Sequence, residues 1–179
     1  IAAHEYSHGV VDATAALRYE NQSGALHEHM ADFFACMIDR DDWILGEDTV
    51  DRQKSDGGRD LSDPHNPRMN DPGPKTMAEY KNLPNTPQGD NGGVHVNSTI
   101  PSHAMYLCAA GPSGLGREKV EKIAYRAVSK YLTQYANFVD YRRAQISAAK
   151  DLFPNGNEAA VVAQSFDAVG IADGQETPP

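Results

Sequence analysis

The stretch His4-Glu5-Tyr6-Ser7-His8 decides how the rest of the chain is interpreted. On a helix, residues four positions apart lie one above the other, so His4 and His8 can present two imidazole nitrogens to one metal ion. Glu5 then lies beside that ion. A carboxylate there can take a proton from a zinc-activated water if one coordination position stays open. The motif predicts a zinc site with a general base, and the alternative is two solvated histidines on a helix surface.

A third zinc ligand is expected from the next helix, because a catalytic zinc takes three protein ligands and the motif supplies two. Glu28 is the candidate, since it lies in a run of good helix formers that follows Gly24. Asp32 lies one turn later on the same face. Its carboxylate can accept the outer N–H of a ligating histidine and fix the tautomer of that ring. An ordinary surface carboxylate is the alternative interpretation of Asp32.

Composition restricts the classes of protein that the chain can belong to. Its 179 residues can bury a core of their own, and 40% hydrophobic with 23% charged residues is ordinary for a globular domain. The net charge of -9 argues against a nucleic-acid surface, which needs a basic face. No apolar run is long enough to span a membrane. We therefore expect neither a nucleic acid nor a membrane as a partner. Cys36 and Cys108 are too few for a disulfide scaffold and are expected to be buried thiols.

Helical patterns at both ends of the chain flank a long irregular region. Gly, Pro, Asp and Asn dominate residues 39–96, where no helical or alternating period survives. We therefore expect a mainly α fold with a long irregular loop region at about 39–96. The expected helices cover about 1–16, a segment after Gly24 to 38, 97–110, a stripe over 120–131, 138–153 and 157–169.

Five blocks of sequence, taken in order, carry a resemblance to a known family. They are the His4–His8 motif, Leu17–Ala25 leading into Glu28 and Asp32, Trp43–Asp48, Arg59–Pro64, and Asp90–Ser98. In this order they resemble the C-terminal, mostly helical half of the catalytic domain of the thermolysin-like neutral metallopeptidases. The resemblance implies a helical catalytic domain over residues 1–171. Residues 172–179 are expected to be a flexible, frayed tail.

The resemblance also implies roles for four residues outside the zinc motif. His95 and Tyr19 resemble the pair that stabilises the negative oxygen developing on the attacked carbonyl. Asp90 resembles the carboxylate that orients this histidine. Arg59 resembles the arginine that binds the substrate carbonyl beyond the scissile bond. The implied activity is a zinc-dependent endopeptidase that cleaves peptides before a bulky apolar residue.

An acidic segment follows the Glu28 helix. Six acids face a single base between positions 39 and 51, and such a cluster repels itself unless it is solvated or neutralised. Hard carboxylate oxygens suit calcium, while composition alone leaves a solvated loop equally open. The resemblance implies calcium, with Asp39, Asp42 and Glu47 as ligands. We expect one ion rather than two, because Ile44 stands where members with two calcium ions carry an acid.

The resemblance implies a second domain as well. In the family, the substrate cleft lies between the helical domain and a strand-rich N-terminal domain. The chain starts at Ile1 without a methionine, so we expect an internal or processed piece, with the missing N-terminal half as its partner. We also expect peptide or protein substrates, secretion by resemblance, and weak activity from the isolated chain, since a loosely held peptide is seldom in attack geometry.

Two other functions fit the same zinc motif. A non-catalytic zinc-binding helical module would use the ligands only to stabilise its fold. It would need a closed fourth ligand, for which His27 and His29 are the candidates. An aminopeptidase with the same motif and a distant glutamate would need an acidic anchor for a free amine, and none is evident beside the motif.

Overall fold

The computed structural model describes residues 1–51 and 53–174 and confirms the mainly α fold with a long irregular region. Two short strands, β1 (Ile44–Leu45) and β2 (Arg59–Asp60), form an antiparallel pair in which Leu45 lies opposite Arg59. The α-helices are α1 (Ala2–Asp12), α2 (Asn21–Ile38), α3 (Asp90–Asn97), α4 (Thr99–Ala110), α5 (Arg117–Lys130), α6 (Phe138–Leu152) and α7 (Glu158–Ala168). Within the described residues, no helix is long and apolar enough to cross a lipid bilayer.

The second helix, α2, forms the centre of the domain. It is buried along almost its whole length and packs against α1, α3, α4, α5 and α6. Large side chains that are fully buried in the core include Leu26 and Phe33 on α2 and Phe138 and Tyr141 on α6. Each such side chain contributes about 1.5–3 kcal/mol on burial. The core therefore fixes the position of every functional side chain that α2 carries.

Two helix boundaries differ from the sequence prediction for identifiable reasons. The first helix ends at Asp12 rather than near residue 16, because the Thr14 hydroxyl donates back to the Val10 carbonyl at 2.7 Å and Ala16 adopts a left-handed φ of 48°. Gly24 lies inside α2 rather than before it. A Cβ at Gly24 would lie 2.4 Å from a Val94 methyl carbon, so the glycine serves the close packing of α2 on α3.

The irregular region is held by hydrogen bonds from side chains to the backbone. Buried Asp60 is the clearest case, because its Oδ1 accepts from the backbone N–H groups of Ser62 at 2.9 Å and Asp63 at 3.1 Å. Its Oδ2 accepts from the Asn66 side chain at 3.0 Å. The irregular backbone extends into the first half of α3, because Asp90 to Gly93 have left-handed rather than right-handed helical angles.

Both cysteines are free and buried, which confirms the prediction of buried thiols. Burial raises the pKa of the Cys108 thiol to about 12 and that of Cys36 further, so both stay protonated. At the other end of the chain, Asp173 accepts from Arg142 at 2.7 Å and from Arg143 at 2.8 Å. The rest of the expected tail, residues 175–179, lies outside the described residues, so its flexibility stays a prediction.

Candidate metal centre

The three predicted zinc ligands converge from α1 and α2. The Nε2 atoms of His4 and His8 lie 3.0 Å apart, and each lies 3.5–3.6 Å from an oxygen of the Glu28 carboxylate. Nitrogen and oxygen ligands about 2.0–2.1 Å from a tetrahedral zinc lie about 3.4 Å from one another. The observed separations bracket that value, so the three side chains fit a zinc ion without rearrangement of the backbone.

The surroundings of the Glu28 carboxylate also favour a bound cation. Only 1% of the residue is exposed, and its Oε1 accepts a short hydrogen bond from the Tyr19 hydroxyl. Among the residues that the structure describes, Oε2 has no hydrogen-bond partner, and the Arg59 Nη2 lies 3.8 Å away. A buried oxygen left unpaired costs about 1–3 kcal/mol or more, which a metal ion bound between the three side chains would offset.

A buried ion pair holds the outer nitrogen of His4. The Nδ1 atom of His4 lies 2.8 Å from Asp32 Oδ1, and Arg59 donates to both Asp32 oxygens at 2.7 Å. Burial by itself raises the pKa of Asp32, but the charge and hydrogen bonds of Arg59 together with those of His4 outweigh burial and hold that pKa well below its usual range. The charged carboxylate can then accept the Nδ1 proton of His4, which leaves Nε2 free for a metal.

The outer nitrogen of His8 has a different partner, which the sequence did not reveal. Its Nδ1 lies 2.8 Å from Nδ1 of His27, whose Nε2 lies 3.0 Å from Asp12. His29 points away from the ligands and lies between Ser102 at 2.9 Å and Tyr141 at 2.8 Å. His27 and His29 are the candidates for the closing fourth ligand of the alternative non-catalytic module. His27 instead contacts the outer nitrogen of His8 and Asp12, and His29 contacts Ser102 and Tyr141, which does not support that alternative.

His95 and Tyr19 face the ligands from α3 and from the segment before α2. The Tyr19 hydroxyl lies 3.2 Å from His95 Nε2, which is itself 3.4 Å from Glu28 Oε1. Asp90 holds the other side of the imidazole, at 2.6 Å from Nδ1, and also accepts the backbone N–H of His95 at 2.8 Å. Burial, with the hydrogen bond to Glu28, raises the pKa of Tyr19 well above its usual value, so the hydroxyl keeps its proton.

A left-handed turn presents His95 to the site. Four consecutive residues, Asp90 to Gly93, have φ values of 55°, 48°, 88° and 80°. Only glycine, asparagine and aspartate adopt this conformation routinely, and those are the residues found here. A Cβ at Gly92 would lie 2.1 Å from the Asn21 side-chain oxygen. The sequence Asp-Asn-Gly-Gly thus allows α3 to start directly against the beginning of α2.

The ligands open onto a cleft of about 330 Å³. Exposed Glu5 lines the cleft beside the ligands. Arg59 also lines the cleft, and the pairing of β1 with β2 fixes its position. Its remaining lining includes Ile1, Leu45, Val50, Asp71 and His95. A larger, apolar groove of about 430 Å³ lies elsewhere, against Tyr6, Val10 and Tyr125. The cleft lined by His4 and Glu28, two of the three candidate ligands, is the candidate site of chemistry.

The acidic segment brings together a set of carboxylates that differs from the predicted one. Oxygens of Asp39, Glu47 and Asp48 lie within 4.8 Å of one another. The Asp42 carboxylate instead accepts the backbone N–H of Ile44 at 2.8 Å. The structure thus groups two of the three predicted calcium ligands with Asp48.

Comparison with known proteins places the chain in a family. Residues 15–171 match the family described as thermolysin metallopeptidase, alpha-helical domain. The chain therefore belongs to the thermolysin metallopeptidases, as the sequence blocks predicted. It is 42% identical over 180 residues to a bacillolysin of Brevibacillus brevis and 43% identical over 171 residues to neutral protease NprE of Bacillus pumilus. A solved structure, the precursor of protealysin, a metalloproteinase from Serratia proteamaculans, is similar with a TM-score of 0.85 at 33% identity.

The chain spans only part of these relatives. Each match covers 96% of this chain, but 33% of the bacillolysin, 54% of NprE and 56% of the protealysin precursor chain. A zinc metalloproteinase of Listeria monocytogenes, 42% identical over 173 residues, is covered to 32% of its length. The residues that match the family model, 15–171, include Glu28, Asp32, Arg59 and His95 of the candidate site.

Proposed function

We propose that the chain is the helical part of a zinc-dependent endopeptidase, with His4, His8 and Glu28 as the zinc ligands. The observation that carries this proposal is the convergence of His4 Nε2, His8 Nε2 and the Glu28 carboxylate at ligand-like separations, where Oε2 of Glu28 is buried without a hydrogen-bond partner among the described residues. The names of the relatives, bacillolysin, neutral protease and zinc metalloproteinase, support the same class of reaction.

The side chains around the ligands fit the hydrolysis of a peptide bond. A zinc ion held by His4, His8 and Glu28 would supply Lewis-acid activation of the peptide carbonyl and of the attacking water. Glu5 accepts a proton from the attacking water and delivers it to the leaving nitrogen. His95 and Tyr19 donate to the carbonyl oxygen as it becomes negative. Tyr19 must first exchange its hydrogen bond to Glu28 for one to the substrate.

Arg59 has two tasks in this proposal. Its Nε and Nη2 atoms hold Asp32, which in turn orients His4. Its remaining nitrogen, Nη1, can donate to a substrate carbonyl at the cleft wall that Arg59 lines. The apolar residues Ile1, Leu45 and Val50 on the same cleft support a preference for an apolar side chain next to the scissile bond.

Metal analysis and a blocked peptide test the proposal together. The full-length protein should hold close to one zinc per chain, and the His8→Ala variant should lose it. Unchanged zinc content in that variant would refute the ligand assignment. Cleavage inside a peptide with an acetylated N terminus separates an endopeptidase from an aminopeptidase, which needs a free amine. The non-catalytic module loses support because His27 contacts the outer nitrogen of His8, not the nitrogen that faces the other ligands, and His29 contacts Ser102 and Tyr141.

We also propose that residues 1–171 act as one catalytic domain together with an N-terminal half that completes the cleft. Peptide cleavage by the isolated chain, beside the full-length protein at equal zinc occupancy, tests this, and equal specific activity would refute it. Secretion and one calcium ion near Asp39 and Glu47 stay predictions. Addition of calcium to the chelator-treated protein should raise its unfolding temperature if the acidic segment binds the ion.

A further inference from the structure

A line of hydrogen bonds leads from the metal centre to the protein surface. It runs from Nδ1 of His8 to Nδ1 of His27 at 2.8 Å, and from Nε2 of His27 to the Asp12 carboxylate at 3.0 Å. The two imidazole rings lie with centroids 4.9 Å apart and planes tilted by 34°. His27 is only 4% exposed, whereas 70% of the Asp12 side chain is exposed. The buried His27 ring on α2 is thus in contact with α1 on both sides, through His8 and through Asp12.

The donor and acceptor inventory of histidine fixes the protons along this line. If His8 binds a metal through Nε2, its proton must be on Nδ1, so His8 donates to His27. Neutral His27 can accept at Nδ1 only if its own proton is on Nε2, which faces the Asp12 carboxylate. Asp12 therefore determines the tautomer of His27, and His27 determines the tautomer of His8.

We propose that His27 and Asp12 form a positioning pair that holds His8 in the orientation and tautomer required of a zinc ligand. This inference rests on the proposed function, in which His8 binds zinc. The two histidine ligands are then supported differently: His4 donates to a buried carboxylate that is paired with Arg59, and His8 donates to a neutral imidazole. The critical atom is Nδ1 of His27, because it is the only acceptor that the described residues offer to the outer nitrogen of His8.

The test compares two side chains of matched shape at position 27. Asparagine places an oxygen where the histidine has Nδ1, so it can accept from His8, whereas leucine has the same branching without an acceptor. The zinc dissociation constant of the full-length protein is measured by competition with a chromophoric chelator. We expect His27→Leu to weaken zinc binding by about 10–100-fold, and His27→Asn to stay within about threefold of the wild type. Asp12→Asn should have a smaller effect than His27→Leu, since Asp12 is exposed.

A spectroscopic measurement and a control variant complete the experiment. In the cobalt-loaded proteins, the visible absorption of the metal should change in His27→Leu and be retained in His27→Asn. His65→Ala, which removes an exposed histidine paired with Glu79 at 2.8 Å, should leave zinc affinity and cobalt absorption unchanged. Unfolding of the zinc-free variants verifies that each one folds.

The outcomes separate this inference from the proposed function. If His27→Leu binds zinc within threefold of the wild type, or if the Leu and Asn variants are weakened equally, the positioning pair is refuted. If His8→Ala retains its zinc, the ligand assignment itself fails, whatever the variants at position 27 do. A loss of zinc in His8→Ala together with weaker zinc binding in His27→Leu alone would support both.

Discussion

Replacement of Arg59 by methionine should destabilise the protein even when no zinc is bound. Asp32 is fully buried, and its charge is balanced by Arg59, which donates two hydrogen bonds at 2.7 Å, and by His4 at 2.8 Å. The Arg59 side chain is itself only 14% exposed. Methionine keeps most of the length of the arginine side chain but leaves the buried carboxylate without its guanidinium partner.

The size of the effect follows from the cost of an unpaired buried charge. Removal of one partner of a buried ion pair costs about 3–5 kcal/mol. Asp32 keeps the hydrogen bond to His4, so we expect a loss near the lower end, about 3–4 kcal/mol of unfolding free energy. For a domain of this size, 1 kcal/mol shifts the unfolding temperature by about 2–4 °C, so the midpoint should fall by about 6–16 °C.

The assay is thermal and urea unfolding of the chelator-treated protein, followed by circular dichroism. Arg68→Met is the matched control, because Arg68 makes the same bidentate contact with Asp56, at 2.5 and 2.6 Å, where 51% and 39% of the two side chains are exposed. Water screens that pair, so no measurable change is expected. Adding Asp32→Asn to Arg59→Met should recover part of the loss, since no buried charge is then left unpaired. A loss below about 1 kcal/mol in Arg59→Met would refute the reasoning.

Three further predictions follow from the same structure. Glu5→Gln should retain zinc but lose turnover by several orders of magnitude, because an amide cannot accept the water proton; near-normal peptide hydrolysis would exclude Glu5 from the mechanism. Burial lowers the pKa of His29 to about 3, so between about pH 6.5 and 3 only the unfolded chain takes up that proton. The free energy of unfolding should therefore decrease as the pH is lowered through this window, by up to about 1.4 kcal/mol per pH unit. In His29→Gln the fall, measured by urea unfolding from pH 7 to 4, should be shallower, and identical slopes would contradict the assignment. Gly92→Ala should lower both stability and peptide cleavage, because its Cβ would lie 2.1 Å from the Asn21 oxygen at a φ of +88°. Gly46→Ala is the matched control, because Gly46 has φ +80° and ψ 16° and its Cβ would lie no closer than 3.3 Å to a side-chain atom, so it should cost mainly the backbone strain of about 1–2 kcal/mol; equal losses of stability in the two variants would refute a role for the contact with Asn21.

The predictable part of the site is the part that one helix determines. His4 and His8 lie on one face because the helical period places them there, and the same spacing relates Glu28 to Asp32. The contact between His8 and His27 depends on how α1 and α2 are rotated against each other, which no local pattern in the sequence encodes. One signal was present, since Asp12 lies one turn after His8 and thus on the same face of α1.

Gly24 and the acidic segment show two other limits of the sequence. A glycine before good helix formers is a common sign of a helix start, but here a close approach to Val94 requires it inside α2. In the acidic segment no periodicity relates one carboxylate to another, because loop side chains are placed by individual hydrogen bonds. The Asp42 carboxylate is engaged by the Ile44 N–H, so Asp48, not Asp42, lies with Asp39 and Glu47.

The candidate metal centre depends on the packing of the whole domain because its polar side chains are concentrated on one buried helix. His27, Glu28, His29 and Asp32 are all buried on α2, where unpaired polar groups are costly. Their hydrogen-bond partners come from other segments of the chain: Asp12 from α1, Tyr19 from the connection to α2, Arg59 from β2, Ser102 from α4 and Tyr141 from α6. A shift of any of these segments would leave a buried group of α2 unpaired. Correct assembly of the ligands and stability of the fold therefore require the same contacts, so a substitution that loosens these segments should weaken zinc binding even far from the metal.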